Sequence, residues 1–492
     1  MESFAQIIKW IGDHVEGWPF IILCLFAGLY FTIRTRFLQL RFIKRMWSLL
    51  FKGKSSKSGI SSFQSFVLAL SGRVGTGNIV GVATAIALGG PGAVFWMWII
   101  AFFGAGTAYI EASLGQVYKE KIDGNYRGGP AYYILKGIGV KWYAIAFAVV
   151  AIIALGIFLP GLQGNAICEA IDNSFGVDRR ITAGVVVGLL GLVIFGGVRR
   201  IAKVAEIITP LMAVGYVIVA IVILVLNHHH IPEMFALIVK SAFGMEPALS
   251  GMVGAAISMG VRRGLFSNEA GQGTAPHAAA ASEVNHPAEQ GLVQAFSVYV
   301  DTLLVCTATA FIILSTGMYN VYDPDSNIIL QGSETSHLIE SYGAINTQLA
   351  VDATVPGFGS GFVAIALFFF AFTTIMSYYF QAESNIYFLF REHKKKSRLA
   401  VNILRVSIMV LTYFGAVNAL ALAWNMADIG VGVMAWLNLV AILILRKVAM
   451  RTFNDYESQL KAGVEDPAFD PDKLGIKNTG EWNKINKQKD KN

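Results

Sequence analysis

The chain has 492 residues, 55% of them hydrophobic and only 14% charged, with a mean hydropathy of +0.56. Soluble domains carry about 25% charged residues, so this composition excludes a soluble enzyme or binding module and predicts an all-α integral membrane protein. The formal charge of +7 is concentrated in particular loops, so it reads as an orientation signal and not as affinity for nucleic acid.

A membrane-crossing helix needs about 20 mostly apolar residues. Eleven stretches meet that need, near 18–33, 61–88, 91–117, 142–172, 181–198, 203–226, 248–281, 288–315, 357–390, 399–416 and 419–446. Several exceed 25 residues, which predicts tilt or a break. Between the first two lies a basic segment holding Arg34, Arg36, Arg41, Lys44, Arg45, Lys52, Lys54 and Lys57. Positive charge marks cytoplasmic loops, so the N-terminus is expected outside. Alternation then assigns 119–127, 199–203, 283–290, 392–398 and the C-terminal tail to the cytoplasm. All but 283–290 are basic, and the long outward loop 315–352 has no Lys or Arg.

Stretches 130–136 and 232–240, apolar on one face, predict helices lying in the membrane interface. The tail from Arg451 is polar without an apolar period and is expected to be loosely ordered. The opening residues lack the basic, short-apolar, small-residue order of a cleavable signal. Cys24, Cys168 and Cys306 sit far apart in or beside apolar segments, which predicts small buried side chains and no disulfide or metal set.

Two of the spans are interrupted by glycine-rich polar sequence. The first runs Ser71-Gly-Arg-Val-Gly-Thr-Gly-Asn78; the second runs Ser258-Met-Gly-Val-Arg-Arg-Gly-Leu-Phe-Ser267 and on to Gly273. Free backbone groups are not tolerated in hydrocarbon, so such breaks must line a protein cavity. With the first span set aside, the remaining ten form two groups of five, each opening on a broken segment, the two running in opposite directions. Five-plus-five with opposite orientation predicts an inverted repeat and a binding site at the bilayer midplane. The halves share no evident residue-level similarity, so the symmetry rests on hydropathy and the breaks. The expected divisions are 1–60 (peripheral helix and basic loop), 61–230 (first repeat), 231–447 (second repeat) and 448–492 (polar cytoplasmic tail).

Each break offers complementary ends. Past the first, free N–H groups are expected at Gly75, Thr76, Gly77 and Asn78, where a helix start suits a carboxylate. Before it, free carbonyls near Ser71 and Val74 suit a cation. In the second, carbonyls near Met259 and Gly260 are expected to accept an ammonium, with helix restarting at the good N-cap residue Ser267. A zwitterionic amino acid matches both ends; glycine kinks that only aid packing are the alternative.

Gly75-Thr-Gly-Asn78 resembles the G-x-G-N of sodium-coupled amino-acid transporters with the five-plus-five fold. Ser267-Asn-Glu-Ala-Gly-Gln-Gly-Thr-Ala-Pro276-His-Ala resembles the signature of the alanine or glycine:cation symporter family. The stretches Gly89-Gly-Pro-Gly-Ala-Val-Phe-Trp-Met-Trp98, Tyr109-Ile-Glu-Ala-Ser-Leu-Gly-Gln116, Tyr126-Arg-Gly-Gly-Pro-Ala-Tyr-Tyr133 and Asp301-Thr-Leu-Leu-Val-Cys-Thr307 fit the same family, across nearly the whole chain. The resemblance implies a LeuT-like inverted-repeat core with one extra N-terminal helix. It also implies sodium-driven uptake of alanine, often glycine, through a prokaryotic plasma (inner) membrane.

The same resemblance makes Gln163 a pocket residue, with Ile167 and Ile171, which share its helix face, closing over a methyl group. Ordinary packing of that face is the alternative. In inverted-repeat transporters, paired hydroxyls on a late helix join carbonyls of the first broken helix around sodium. This carries to Thr373 and Thr374, with Ser71 and Val74 as carbonyl donors; hydroxyls bonding back one turn are the alternative. Asp301, inside a span, reads as a second cation-sensing carboxylate or as one half of an ion pair. Arg73, Glu111, Glu206, Arg262, Arg263, Glu269, Glu383 and Asp428 are further ionisable residues at membrane depth, read as struts or gates.

Gly53-Lys-Ser55 lacks the earlier glycine of a phosphate loop, and 228–230, three histidines, reads as a solvated outer loop. Zinc-protease and nucleophile-elbow motifs are absent, which argues against an enzyme. A channel would need a filter repeated by symmetry. The function the resemblance implies is symport of alanine or glycine with sodium by alternating access, with glutamine as cargo or protons as coupling ion the nearest alternatives. No cofactor or obligate protein partner is expected.

Overall fold

The computed structural model describes residues 2–52, 55, 56, 58–338, 342–418 and 421–489. Lys54 and Lys57 of the basic segment, and the first residues of the last expected span, lie outside them. A helix over Glu2–Val15 leads into α1 (Trp18–Arg34), and the two together supply the apolar stretch Gln6–Arg34; α2 (Ser62–Arg73), α3 (Val82–Gly89) and α4 (Gly92–Val117) follow, then a hairpin of β1 (Glu120–Ile122) and β2 (Asn125–Arg127). Next come α5 (Lys141–Ile153), α6 (Leu159–Phe175), α7 (Arg179–Ile194), α8 (Gly197–Leu226), α9 (Ile231–Ala242), α10 (Val253–Asn268) and α11 (Ala275–Ala281). The chain continues with α12 (Pro287–Val298), α13 (Thr307–Thr316), α14 (Gly359–Leu389), α15 (Lys394–Val417), α16 (Ala421–Ile444), α17 (Arg446–Lys461) and α18 (Gly480–Lys489). The fold is mostly helical, as its composition requires.

Among the described residues, eight helices are long and apolar enough to cross a membrane, or nine when the α2–α3 pair, bent by 53°, counts as one. The expected spans at 181–198 and 248–281 appear as α7 and α10, each 16 residues long and therefore short of that measure. The π-helical turns Ala154–Phe158 and Tyr299–Cys306 join α5 to α6 and α12 to α13, so two expected long spans are each one rod with a widened turn.

Burial follows chemistry. Helices α8 and α15 expose Ile207, Leu211, Val214, Leu399, Ile403 and Val410 on their outer faces, an apolar belt suited to lipid tails. Helices α2, α4, α10 and α14 lie inside, and they carry the buried polar residues Ser71, Asn268, Glu111, Thr374 and Gln381. Two sequence expectations change here. Stretch 130–136 is not an interface helix: Pro130, Ala131, Tyr132 and Tyr133 are all buried, and the Tyr132 hydroxyl donates to the Ser384 carbonyl (3.1 Å). Stretch 232–240 does form a one-sided helix, α9, which buries Met234 and Ile238 while exposing Phe235 and Val239.

The described part of the tail, to Lys489, packs on the helices, contrary to expectation. Glu457 of α17 pairs with Arg36 and Arg41, and Lys52 pairs with Asp466 at 2.7 Å. Trp482 is fully buried; its Nε1 donates to the Gln116 carbonyl (2.8 Å) and its ring lies under the Lys119 ammonium (4.6 Å). The Phe469 N–H donates to the Asn285 carbonyl, and His286 Nε2 meets Asp455 Oδ2 at 3.1 Å. A periodicity search misses these anchors because Phe469, Ile476, Trp482 and Ile485 stand singly in polar sequence.

The tail covers the joint between the two broken regions. Ile60, just before α2, forms a parallel bridge with Ser282, just after α11. Gln116 donates to the Ser282 carbonyl (3.0 Å) and to the Ala279 carbonyl, holding the C-terminal end of α11.

Candidate substrate and sodium site

The capping box of Ser61 and Gln64 starts α2 firmly. The helix ends at Arg73 because Val74 is extended (φ −76°, ψ 93°), and it resumes through the π-helical turn Gly77–Gly81. The first break therefore falls where the sequence puts it. Gly75 is required there by space: a Cβ would stand 2.5 Å from Thr374 Oγ1. At Gly77 a Cβ would lie 3.1 Å from Ser267 Cα and 3.2 Å from Phe266 Cδ1, so the two broken segments touch at this point.

Three of the four amides expected to be free are engaged: Asn78 N–H donates to the Gly75 carbonyl (3.2 Å), and two others are met by amide side chains. Asn78 Oδ1 accepts from Gly75 N–H (2.8 Å), and Gln163 Oε1 accepts from Thr76 N–H (3.2 Å). Gln163 of α6 thus reaches the break, while Ile167, fully buried, and Ile171, half-buried, pack into the hydrophobic core. Phe266, whose ring packs on Trp424 at 5.3 Å, covers the break from α10. The sequence reading missed Phe266, although its place directly before Ser267 was a usable signal.

The carbonyl end gathers oxygens. Thr374 Oγ1 donates toward the carbonyls of Ser71 (2.9 Å), Val74 (3.2 Å) and Phe370 (2.9 Å). Ser377 Oγ reaches the Leu68 carbonyl at 3.0 Å, extending the line of contacts along α2. Thr373 is placed differently. Its hydroxyl bonds back to the carbonyls of Phe369 and Phe370, both at 3.0 Å, and shares only the latter with the cluster. The Phe370 carbonyl was not named from sequence because it lies inside the continuous helix α14, where no break marks a free carbonyl.

The second break lies elsewhere than expected. Helix α10 runs unbroken through Met259 and Gly260 to Asn268. Gly260 lies in the helix interior, where a Cβ would stand 2.5 Å from the Ala93 carbonyl; it is a close-packing point against α4 and its neighbours offer no free helix end. Ser267 is no N-cap; it occupies the last turn, with its hydroxyl on Asp301 (2.9 Å). The break proper spans 269–274, where Glu269 (φ 54°), Gly271 (φ 86°) and Gly273 (φ 84°) are left-handed, and helix resumes at Ala275.

Its free amides are already engaged. Glu111 of α4 accepts from Gly271 N–H (3.3 Å), from Gly273 N–H (3.1 Å) and from Asn438 Nδ2 (2.7 Å). A carboxylate at a helix start is a strong acceptor pairing. Here the protein supplies it internally, so this end is spent on structure.

Charged residues flank the breaks in pairs. Arg263 and Asp428 form a two-pronged pair (2.6 and 3.1 Å) beneath the Trp424 ring, and Arg127 pairs with Glu383 (3.1 Å) over the Tyr387 ring. These sit apart from the oxygen cluster and read as struts.

With this geometry in view, comparison with known proteins places the chain. It is 55% identical over 483 residues to the putative sodium/proton-dependent alanine carrier protein YrbD of Bacillus subtilis (strain 168), covering 98% of each chain. It is 48% identical over 442 residues to the sodium/proton-dependent alanine carrier protein of Bacillus sp. (strain PS3), covering 89% of this chain and 97% of that one. In fold it is similar, with a TM-score of 0.51 at 13% identity, to a Na+-coupled sialic acid symporter solved in a substrate-bound outward-open state; the match covers 88% of this chain and 86% of that one. The family model described as the sodium:alanine symporter family matches residues 1–471, and the chain belongs to that family.

Proposed function

We propose that this protein carries alanine, and also glycine, across a prokaryotic inner membrane together with sodium, by alternating access of one midplane site. The observation that carries the reading is the convergence of Thr374 Oγ1 with the Ser71 and Val74 carbonyls beside the glycine amides of the same break. Carbonyl and hydroxyl oxygens suit a hard cation, and the amides one turn on suit a carboxylate. The names of the two relatives, both alanine carriers, support the cargo.

Substrate binding is assigned to Gly75, Thr76, Gly77, Asn78, Gln163, Ile167 and Ile171, and sodium to Ser71, Val74, Phe370 and Thr374, with Thr373 at the edge of the shell. Asn78 and Gln163 occupy the break amides as neutral acceptors. An ionised carboxylate is the better acceptor, so a substrate displaces Gln163 from Thr76 and frees its amide for the ligand. The five-plus-five inverted repeat, eleven crossings and an outside N-terminus remain the arrangement that charge bias and hydropathy favour. Inward drive comes from the sodium gradient plus ~2.3 kcal/mol per charge per 100 mV of membrane potential.

The test is uptake of labelled alanine into proteoliposomes with sodium replaced by choline at fixed pH, with glycine and glutamine as competitors. Sodium-dependent uptake blocked by unlabelled alanine is expected. Uptake indifferent to sodium would remove the coupling reading, and stronger block by glutamine than by alanine would change the cargo.

A further inference from the structure

A strongly basic surface lies at one end of the bundle, where three segments meet: the turn of the β1–β2 hairpin, the turn between α7 and α8, and the start of α15. Their junction is direct. Asp123 and Gly124 form one wall of a cleft of about 360 Å³, and Gly196, Gly197 and Arg199 form the other. From α15, Lys394 and Arg398 reach Asp123 at 2.8 and 3.7 Å. The Arg405 guanidinium, further along α15, lies over the Phe195 ring at 5.2 Å.

Charge at this junction is lopsided. Arg199, Arg200, Lys203, Lys395, Lys396 and Arg398 are all exposed. The facing acids are Asp123, which already holds Lys394 and Arg398, and the exposed Glu392; Glu120 of the hairpin is turned to Lys136 (2.9 Å). Two of the basic runs also oppose the helices that carry them. A helix start is positive and favours acidic side chains. The first turn of α15 holds Lys394, Lys395 and Lys396 and no acid, and the first turn of α8 holds Arg199 and Arg200 and no acid. An orientation signal requires only that such charge lie on one side of the membrane; it does not require that the runs gather around one cleft. An anion from outside the chain accounts for both.

The chemistry beside the cleft says which anion. Lys203 and Ile207 on α8, and Lys395 and Leu399 on α15, stand four apart and share a helix face, and both apolar members are exposed. Helix α7 packs on both α8 and α15 and exposes Leu189, Leu192 and Phe195 at the same end. Positive charge therefore gives way within one turn to an apolar belt. That is the order of a phospholipid, phosphate first and acyl chain after.

We propose that this cleft binds an anionic phospholipid. Arg199, Lys394 and Arg398 hold the headgroup phosphate, Lys203, Lys395 and Lys396 supply the surrounding positive field, and the acyl chains run along the outer faces of α7 and α15. Basic pockets between membrane helices are suited to such headgroups. The bound lipid would brace the α7–α8 turn against the start of α15. The inference goes beyond the transport reading and holds whatever cargo is moved, because its test measures binding and not uptake.

Purified full-length protein in a neutral detergent is given equal amounts of phosphatidylglycerol and phosphatidylethanolamine with the same acyl chains, and the retained lipid is identified by native mass spectrometry. The wild type is expected to retain phosphatidylglycerol over phosphatidylethanolamine by about 5-fold or more, the scale of one basic side chain at a membrane surface. The double variant Lys394→Gln/Arg398→Gln is expected to lose that preference. Lys473→Gln/Lys477→Gln, which removes the same charge from the exposed tail, is expected to keep it. A wild type without preference overturns the proposal, as does a Lys394→Gln/Arg398→Gln variant that keeps the whole of it. Inorganic phosphate in excess should leave the lipid bound; if it displaces the lipid, the cleft is a free-anion site and the lipid assignment fails. Should Lys394→Gln/Arg398→Gln not fold, Lys395→Gln/Lys396→Gln decides, since both side chains are exposed. A weakened preference supports the site, and an unchanged one overturns it.

Discussion

The Thr374 hydroxyl donates a 2.9 Å hydrogen bond to the Ser71 carbonyl, 303 residues earlier in the chain. In a straight α-helix that carbonyl would also hold the Gly75 N–H; here Gly75 N–H donates to Asn78 instead, which leaves the Ser71 carbonyl to Thr374. The break and the late helix α14 thus define one another.

From this contact, Thr374→Ala is expected to raise the sodium needed for half-maximal uptake by about 10-fold or more, since a lost ligand to a charged group is worth ~1.5–3 kcal/mol. Thr374→Ser keeps the oxygen and should stay near wild type. Thr373→Ala, which removes a hydroxyl bonded mainly within its own helix, should shift sodium dependence less. Equal shifts for Thr373→Ala and Thr374→Ala would contradict this ranking.

Gly75→Ala is expected to abolish uptake, because its new methyl group would stand 2.5 Å from Thr374 Oγ1. Gly81→Ala is the matched control: nothing lies within 4 Å of its Cβ, and it sits in helical backbone. It should fold normally and gain up to about 1 kcal/mol from helix preference. Uptake by Gly75→Ala at the wild-type rate would mean the break is looser than described.

Glu111→Ala leaves the Gly271 and Gly273 amides and the Asn438 side chain without their acceptor. Buried unsatisfied donors cost ~1–3 kcal/mol each, so a fall of several degrees in thermal midpoint in detergent is expected. Glu111→Gln retains one good acceptor and should lie between. If Glu111→Ala unfolds with the wild-type midpoint, the carboxylate does not hold the second break.

The docked tail should loosen in acid. Burial holds the His286 imidazole below the ordinary value of 6.5, with the neighbouring Asp455 carboxylate opposing in part. The undocked histidine therefore takes up a proton first, and the contribution of this group is whole above pH 6.5 and shrinks as the pH falls below it. Protease cleavage between α17 and α18 is expected to quicken below pH 6.5. Trp482→Ala, which removes an anchor worth ~3–5 kcal/mol, should make cleavage fast at every pH. Slow cleavage of Trp482→Ala would show that other contacts hold the tail.

The first break was legible in sequence because Gly75-Thr-Gly-Asn78 puts poor helix formers together inside an apolar span. The second was misplaced for a physical reason. Gly260 and Gly264 look like breakers but are packing glycines, each with a neighbour on α4 closer than 3 Å to its absent Cβ. The real break needed left-handed backbone, which Gly271 and Gly273 supply and Glu269 adopts. Glu111 appeared as an ionisable residue at membrane depth, but its partners are backbone amides some 160 positions away, and no local pattern reveals them. The inverted arrangement of the spans was read from hydropathy and the two breaks, and the short helices α7 and α10 show how coarse the hydropathy signal is.

The bridge between Ile60 and Ser282 sets a mechanical threshold for the cycle. The two broken rods are joined at this end by Ile60 N–H to Ala281 and Glu283 N–H to Ile60, and Tyr126 N–H to Ser58 and Phe469 N–H to Asn285 tie the hairpin and the tail to the same seam. At ~0.5–1.5 kcal/mol for each such bond, the four together resist with about 2–6 kcal/mol. That is the scale of work done by one or two monovalent charges falling through ~100 mV, so under the transport cycle proposed above the coupling ions supply enough work to open the seam.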